Sequence, residues 1–158
     1  KKAGELICYT YNHLYNLPIA CMRFFTVYGP RQRPEMAIHK FIKMIVNGEQ
    51  IPMYGDGSTK RDYTYIDDII DGLIKTYQSD FEYEIFNLGN SDTISLKDLI
   101  KTIEEKVGKK AKIKKLPMQP GDVNITYADI KKSKKYFNYD PKTKVEKGIE
   151  RMVAWFNE

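Results

Sequence analysis

The segment Ile19-Ala-Cys-Met-Arg-Phe-Phe25 is almost continuously apolar and is bounded by Pro18 on one side and by a Gly29-Pro30 turn on the other. A short apolar run without polar alternation, closed by such residues, predicts a strand buried on both faces, as in a parallel sheet. Ahead of it, Ala3, Leu6, Ile7, Thr10, Tyr11 and Leu14 fall at helical spacing before the chain meets Asn16 and Pro18. That pattern predicts a helix ending near residue 15. Helix followed by buried strand points to an α/β architecture.

The rest of the chain keeps this alternation. After the basic loop Arg31-Gln-Arg-Pro-Glu35, the positions Ile38, Phe41, Ile42, Ile45 and Val46 predict a helix that stops at Asn47-Gly48. Ile51 to Tyr54 reads as a short strand, Gly55-Asp-Gly-Ser58 as a turn, and Arg61 to Tyr65 as a second strand. Asp67 is the expected cap of a helix with Ile70, Leu73, Ile74 and Tyr77 on its core face, followed by a strand over 83–88. Ser95-Leu-Lys-Asp98 resembles a capping box and opens a helix along Leu99, Ile100, Ile103 and Val107. Lys112 to Leu116 is a short strand, and Asp129 can cap a short helix through Tyr136. Thr143-Lys-Val-Glu146 has the form of a full capping box for a last helix through Ile149, Met152, Val153 and Phe156. No repeat, low-complexity tract or long linker interrupts this order.

Composition narrows the functional classes. With 158 residues, 42% of them hydrophobic, the chain has enough apolar material for one domain-sized core. No stretch approaches the roughly 18 apolar residues of a membrane span, and no signal pattern is visible, so a soluble, cytoplasmic protein is expected. Cys8 and Cys21 show no pairing pattern and His13 and His39 no ligand spacing, so no metal is expected. The net charge of +5 includes lysine clusters at Lys109 to Lys115 and Lys131 to Lys135. These are interleaved with apolar residues as on a solvated surface, and no nucleic-acid module is visible. Residue 1 is a lysine that opens directly into helical periodicity, so the chain is expected to be a fragment.

Four places could carry chemistry. Thr26 stands at the carboxyl end of the buried strand, where open α/β sheets bind ligands, although Thr26 and Tyr28 also suit turn or packing roles. Arg61 follows a glycine turn and precedes a helix start. It reads either as a planar fork for phosphoryl oxygens or as half of a surface ion pair with Asp62. Arg31 and Arg33 precede a helix and form a candidate anion site. Gln119-Pro-Gly-Asp122 reads as a simple turn or as donors and acceptors for hydroxyl groups.

A family resemblance joins these places. Lys1-Lys-Ala-Gly-Glu5, Arg23 through Pro30, Tyr54-Gly-Asp-Gly57, Arg61-Asp-Tyr-Thr-Tyr-Ile-Asp-Asp68, Phe86-Asn-Leu-Gly89, Gln119-Pro-Gly-Asp122 and Tyr127-Ala-Asp129 run in order from end to end. Each is weak alone. Together they resemble the C-terminal part of the NAD-dependent epimerase/dehydratase family, within the extended short-chain dehydrogenases/reductases. The resemblance implies the end of a Rossmann-type parallel sheet, residues 1–30 and about 60–90, and a small mixed α/β substrate-binding domain, about 31–59 and 91–158.

It also implies roles. Lys1 is similar to the lysine of the family's Tyr-x-x-x-Lys pair, whose tyrosine is the general base and whose ammonium lowers the tyrosine pKa and holds the nicotinamide ribose of NAD. Neither that tyrosine nor the Gly-x-x-Gly-x-x-Gly cofactor loop is in this sequence, so the fragment by itself is expected not to catalyse. Phe24 and Phe25 fall near the nicotinamide, Arg61 at the UDP diphosphate, Pro52 and Tyr54 beside the uracil, and Asp122 at the ribose or diphosphate. In the implied reaction the base takes the sugar 4-hydroxyl proton while NAD accepts the hydride. The 4-keto sugar then turns and takes the hydride back on its other face.

Two departures bear on the sugar. Gln119 stands where UDP-glucose epimerases usually carry arginine, and Thr26 where those enzymes and the UDP-glucuronate decarboxylases usually carry asparagine. Phe24-Phe-Thr-Val-Tyr-Gly-Pro30 followed by Arg33-Pro-Glu-Met-Ala37 looks instead like UDP-glucuronate 4-epimerases. In these the threonine binds the substrate carboxylate, and the arginine at the position of Arg33 sets the sugar and phosphate end. The alternatives are a UDP-glucose 4-epimerase, a nucleotide-sugar dehydratase, or a non-catalytic UDP-sugar-binding module. Relatives usually pair through two helices, one matching residues 2–15, so a homodimer is expected of the parent enzyme.

Overall fold

The computed structural model describes residues 1–158, arranged as six helices and eight short strands. Helix α1 (Lys2–Tyr15) leads into β1 (Ile19–Phe24), and β2 (Thr26–Tyr28) follows after a one-residue break. Next come α2 (Ala37–Asn47), β3 (Gln50–Tyr54), β4 (Lys60–Arg61), β5 (Tyr63–Tyr65) and α3 (Ile66–Tyr77). The order closes with β6 (Tyr83–Leu88), β7 (Ile94–Ser95), α4 (Leu96–Val107), β8 (Lys112–Leu116), α5 (Lys131–Phe137) and α6 (Val145–Phe156). No helix is long and apolar enough to cross a membrane.

The strands pair two by two. β1 runs parallel to β6, β2 to β5 and β3 to β8, while β4 and β7 are antiparallel. The β1–β6 register sets Arg23 opposite Asn87, and the β2–β5 register sets Thr26 opposite Tyr63. The run over 61–65 is therefore not one strand. It breaks at Asp62, so that Arg61 faces β7 and Tyr63 faces β2. The expected burial of β1 on both faces is not observed: its residues are half-buried, and Arg23 and Phe24 are exposed, because β6 is its only neighbouring strand and covers one edge.

Two apolar clusters hold these pieces. The larger joins Ile38, Phe41, Ile42 and Ile45 of α2 to Leu99, Ile100 and Ile103 of α4 and to Ile149, Met152 and Val153 of α6. It also takes in Tyr28, Ile51, Met53, Tyr63 and Tyr65. Fully burying an Ile or Leu side chain is worth about 1.5–3 kcal/mol, so this cluster dominates the stability. The smaller cluster, Ile69, Phe86, Leu88, Phe137 and Tyr139, lies between α3, β6 and α5.

Three local expectations are corrected. α3 buries Ile69, Gly72 and Thr76, whereas Ile70, Ile74 and Tyr77 lie at the surface, Tyr77 at 91% exposure. The helix meets its neighbours across Gly72, where an added Cβ would sit 2.8 Å from Tyr139 and 2.9 Å from Leu88. Close approach there, rather than the apolar spacing, chooses the buried face. Asp67 does not cap this helix, whose N-cap is Tyr65. The Thr143 capping box does not form either, since Lys144 is the N-cap of α6. The carboxylate of Asp68 instead accepts the backbone N–H groups of Lys142 and Thr143, both at 3.1 Å. The Ser95 cap is present: its hydroxyl accepts the Asp98 N–H at 3.0 Å and donates to the Asp98 carboxylate at 2.5 Å.

Candidate functional site

Two neighbouring cavities lie around the carboxyl end of β1, the start of β2, the strands β3 to β5, the loop over 32–36 and the segment 122–126; Thr26, expected at the end of the buried strand, is the first residue of β2. The first, of about 240 Å³, is lined by Pro52 and Tyr54 of β3, Arg61, Tyr63 and Asp122, with Lys40 and Phe41 from α2. The second, of about 570 Å³, is lined by Lys1, Phe24, Phe25, Thr26, Arg33 and Thr126, among others. Thr26 and Tyr63 are register partners across β2 and β5, so the two cavities share a wall.

The first cavity is preset. The Arg61 guanidinium donates through Nη1 to the Lys60 carbonyl oxygen at 2.9 Å and through Nη2 to the Asp122 carboxylate. These two bonds use two of the five donors an arginine carries. The partner of Arg61 is thus Asp122, sixty-one residues away, and not its neighbour Asp62. Opposite, the turn after β3 closes on Gly55 at φ 64°, where an added Cβ would lie 2.5 Å from Met118. The Gly55 N–H donates to the Leu116 carbonyl oxygen at 2.8 Å, which brings the loop carrying Asp122 against Tyr54.

Asp62 is fully buried. Its carboxylate accepts the Thr64 hydroxyl at 3.1 Å and the backbone N–H groups of Asn90 at 2.8 Å, Ser91 at 3.0 Å and Ala128 at 3.1 Å. Burying a carboxylate is costly unless it is satisfied in this way. In sequence the residue reads only as a neighbour of Arg61. The signal that could have revealed it is the pairing of an acid with two stretches able to offer free backbone amides, Gly89-Asn-Ser91 and Tyr127-Ala-Asp129.

The second cavity is looser. Lys1 is exposed at the start of α1, and Arg33 is exposed beside Glu35 at 3.4 Å. The loop bearing Arg33 is pinned by its neighbour: Gln32 donates to the Val27 carbonyl oxygen at 2.8 Å and accepts the His39 N–H at 3.2 Å. On the other side, α1 is tied to β1 by the Arg23–Glu5 pair, 2.6 and 2.7 Å, which holds the Glu5 carboxyl below its ordinary range. Burial pushes the phenols of Tyr28 and Tyr63 up, against a smaller opposing pull on Tyr63 from Arg61, so neither tyrosine offers a phenolate near neutral pH.

Of the residues singled out in the sequence, Pro52, Tyr54, Arg61 and Asp122 meet in the first cavity. Lys1, Phe24, Phe25, Thr26 and Arg33 meet in the second. Gln119 lines neither; its carbonyl oxygen accepts the Asp122 N–H at 3.2 Å, turning the loop that carries Asp122. Glu35, Lys40, Gln32 and Thr126 line the cavities without having been singled out for it.

The GDP-mannose 4,6-dehydratase family matches residues 1–152. The chain belongs to that family. Among its relatives, the UDP-glucuronate 4-epimerase of Thermodesulfobacterium geofontis is 46% identical over 159 residues, covering all of this chain and 49% of that protein. The chain spans about half the length of the curated relatives it matches. Among solved structures, the UDP-glucuronic acid 4-epimerase of Bacillus cereus, in complex with UDP-glucuronic acid and NAD, matches with a TM-score of 0.93 at 36% identity. The match covers 99% of this chain and 51% of that one. The UDP-glucose 4-epimerase of Thermotoga maritima, with UDP-glucose, also gives a TM-score of 0.93, at 28% identity, covering 99% of this chain and 52% of that one. The family read from the ordered motifs therefore holds, as does the α/β class of its C-terminal part.

Proposed function

We propose that this chain is the substrate-binding part of an NAD-dependent UDP-sugar 4-epimerase that interconverts UDP-glucuronate and UDP-galacturonate. The observation that carries the reading is the shared wall between a cavity holding Arg61, Pro52 and Tyr54 and one holding Thr26 and Arg33. Such a pair suits a ligand with a nucleotide at one end and an acidic sugar at the other. The 46% identity to a UDP-glucuronate 4-epimerase supports it.

In this reading Arg61 offers its remaining donors to the diphosphate, and Pro52 and Tyr54 border the uracil. Asp122 holds Arg61 and accepts from a ribose hydroxyl, with Gln119 shaping its loop. The Thr26 hydroxyl donates to the sugar carboxylate. A neutral donor fixes that carboxylate in the ring plane and so discourages loss of carbon dioxide from the 4-keto sugar, while Arg33 steadies the sugar and phosphate end.

A cation and two aromatic rings, Lys1, Phe24 and Phe25, line the second cavity together, a set that fits the nicotinamide and ribose end of NAD. When bound, NAD supplies reversible hydride acceptance. Lys1 there favours the ionised form of a neighbouring tyrosine base and binds the ribose. These 158 residues by themselves bind a UDP-sugar without turnover, since they hold neither the glycine loop nor that tyrosine.

The parent enzyme is read as a cytoplasmic homodimer, with α1 one of its interface helices. Residues 1–30 and about 60–90 belong to its Rossmann-type domain, and about 31–59 and 91–158 to its substrate domain. The test is proton NMR of products after the full-length protein is incubated with NAD and, separately, UDP-glucuronate or UDP-glucose. UDP-galacturonate from the first alone is expected. Conversion of UDP-glucose instead would overturn the sugar assignment, and inertness toward both would overturn the epimerase reading.

A further inference from the structure

We infer that Asp62 is a positioning residue that sets the spacing between the two cavities, so that it matters for ligands that occupy both and not for ligands confined to the Arg61 end. The inference rests on the reading of the first cavity as the nucleotide end and the second as the sugar end.

Asp62 occupies the break between β4 and β5 and touches neither cavity itself. Its neighbour Arg61 lines the first. Its backbone reaches the second: the Asp62 carbonyl oxygen accepts the Thr26 N–H at 3.2 Å, and the Asp62 N–H donates to the Thr126 hydroxyl at 3.2 Å. Thr26 and Thr126 both line that cavity. One residue thus holds, through consecutive bonds, a cation of one cavity and two hydroxyl-bearing walls of the other.

The carboxylate makes this arrangement rigid. Its two oxygens take four donors, close to the full acceptor capacity of the group, and three of these are backbone amides from the exit of β6 and from the segment ahead of α5. Backbone pairing near these segments is short: the Lys60–Ile125 bridge on one side and, on the other, the two-residue β4–β7 ladder that begins three residues after Ser91. Packing leaves no slack: a Cβ at Gly89 would lie 2.2 Å from that of Ala128 and 3.3 Å from the Asp62 carboxylate. Released from the carboxylate, Ala128 would be a buried donor without an acceptor, and the wall it carries through Thr126 would shift relative to Arg61.

Two variants of the full-length protein test this. Asp62→Asn keeps the shape but turns an NH2 group toward backbone donors. Thr64→Val removes one of the four bonds and lines neither cavity. In Asp62→Asn, the Kd for UDP should stay within about threefold of wild type, while kcat/KM and affinity for UDP-glucuronate should fall about tenfold or more. In Thr64→Val the UDP-glucuronate loss should be about threefold with UDP unchanged. If Asp62→Asn does not fold, the Thr64→Val comparison decides. Equal losses for UDP and UDP-glucuronate, or none for either, would overturn the inference and leave the functional reading intact. A wild type that binds neither ligand would sink both.

Discussion

The Arg61 cavity and the Thr26 cavity share a wall but are built in different ways. The first is the smaller and stands on β3, α2 and the start of α4, whose side chains reach the larger core. Its key cation is already held by Asp122 and by the Lys60 carbonyl oxygen. The second is more than twice as large, and two of its walls are surface features: the start of α1, a helix with no buried side chain, and the end of β1, where Phe24 is exposed. A preorganised end binds the constant part of a ligand at little cost in ordering. A looser end, with two hydroxyls, Thr26 and Thr126, and two exposed cations, Lys1 and Arg33, can differ among relatives that handle different sugars.

The largest effect expected from this difference is at Arg61. Arg61→Ala in the full-length protein should weaken UDP and UDP-sugars alike, by about a hundredfold, since it removes charge-assisted bonds worth about 1.5–3 kcal/mol each. Calorimetry on UDP alone checks it. A loss confined to the UDP-sugars would mean that Arg61 serves the sugar end and that the division is wrong.

Thr26→Ala comes next. It should lower kcat/KM for UDP-glucuronate by about tenfold, the value of one hydrogen bond to a charged group, and leave UDP affinity unchanged. Measured against UDP-glucose, the loss should be far smaller; equal loss for both sugars would remove Thr26 as the reader of the carboxylate.

The smallest effect concerns the α1 wall. The Glu5 carboxyl is held below its unfolded value of about 4.3 by Arg23. Its contribution is therefore fully present above that pH and is lost as pH falls through the lower folded value. The side chains are at the surface, so the change is slight. Wild type should lose a little stability on acidification that Glu5→Gln, already lacking the clamp, does not lose. Parallel melting curves from pH 6 to 3 for the two proteins would contradict it.

Sequence reading reached these cavities unevenly. The strand over 19–24 and the helix over 37–47 were legible because an apolar run and a 3.6-residue repeat each admit few alternatives, although the strand stops at Phe24 and Thr26 opens the next one. Part of each lining, Pro52, Tyr54, Arg61 and Asp122 in one and Lys1, Phe24, Phe25, Thr26 and Arg33 in the other, was legible through the order of the motifs, since no local pattern places Pro52 beside Asp122. What stayed hidden depends on long-range contacts. The buried face of α3 is set by Gly72 meeting Leu88 and Tyr139, and the Thr143 cap gives way to Asp68 from a helix far back in the chain. Asp62 looked like the ion-pair partner of Arg61 because adjacency was visible, whereas the amides of Asn90, Ser91 and Ala128 were not.

The most direct test is calorimetric titration of the full-length protein with UDP, UDP-glucuronate and UDP-glucose under one buffer and salt condition. The two-cavity account predicts that all three bind, that UDP retains most of the affinity, and that UDP-glucuronate gains over UDP-glucose by about tenfold through the Thr26 end. Binding of UDP-glucose as tight as that of UDP-glucuronate, with no increment for the carboxylate, would contradict it.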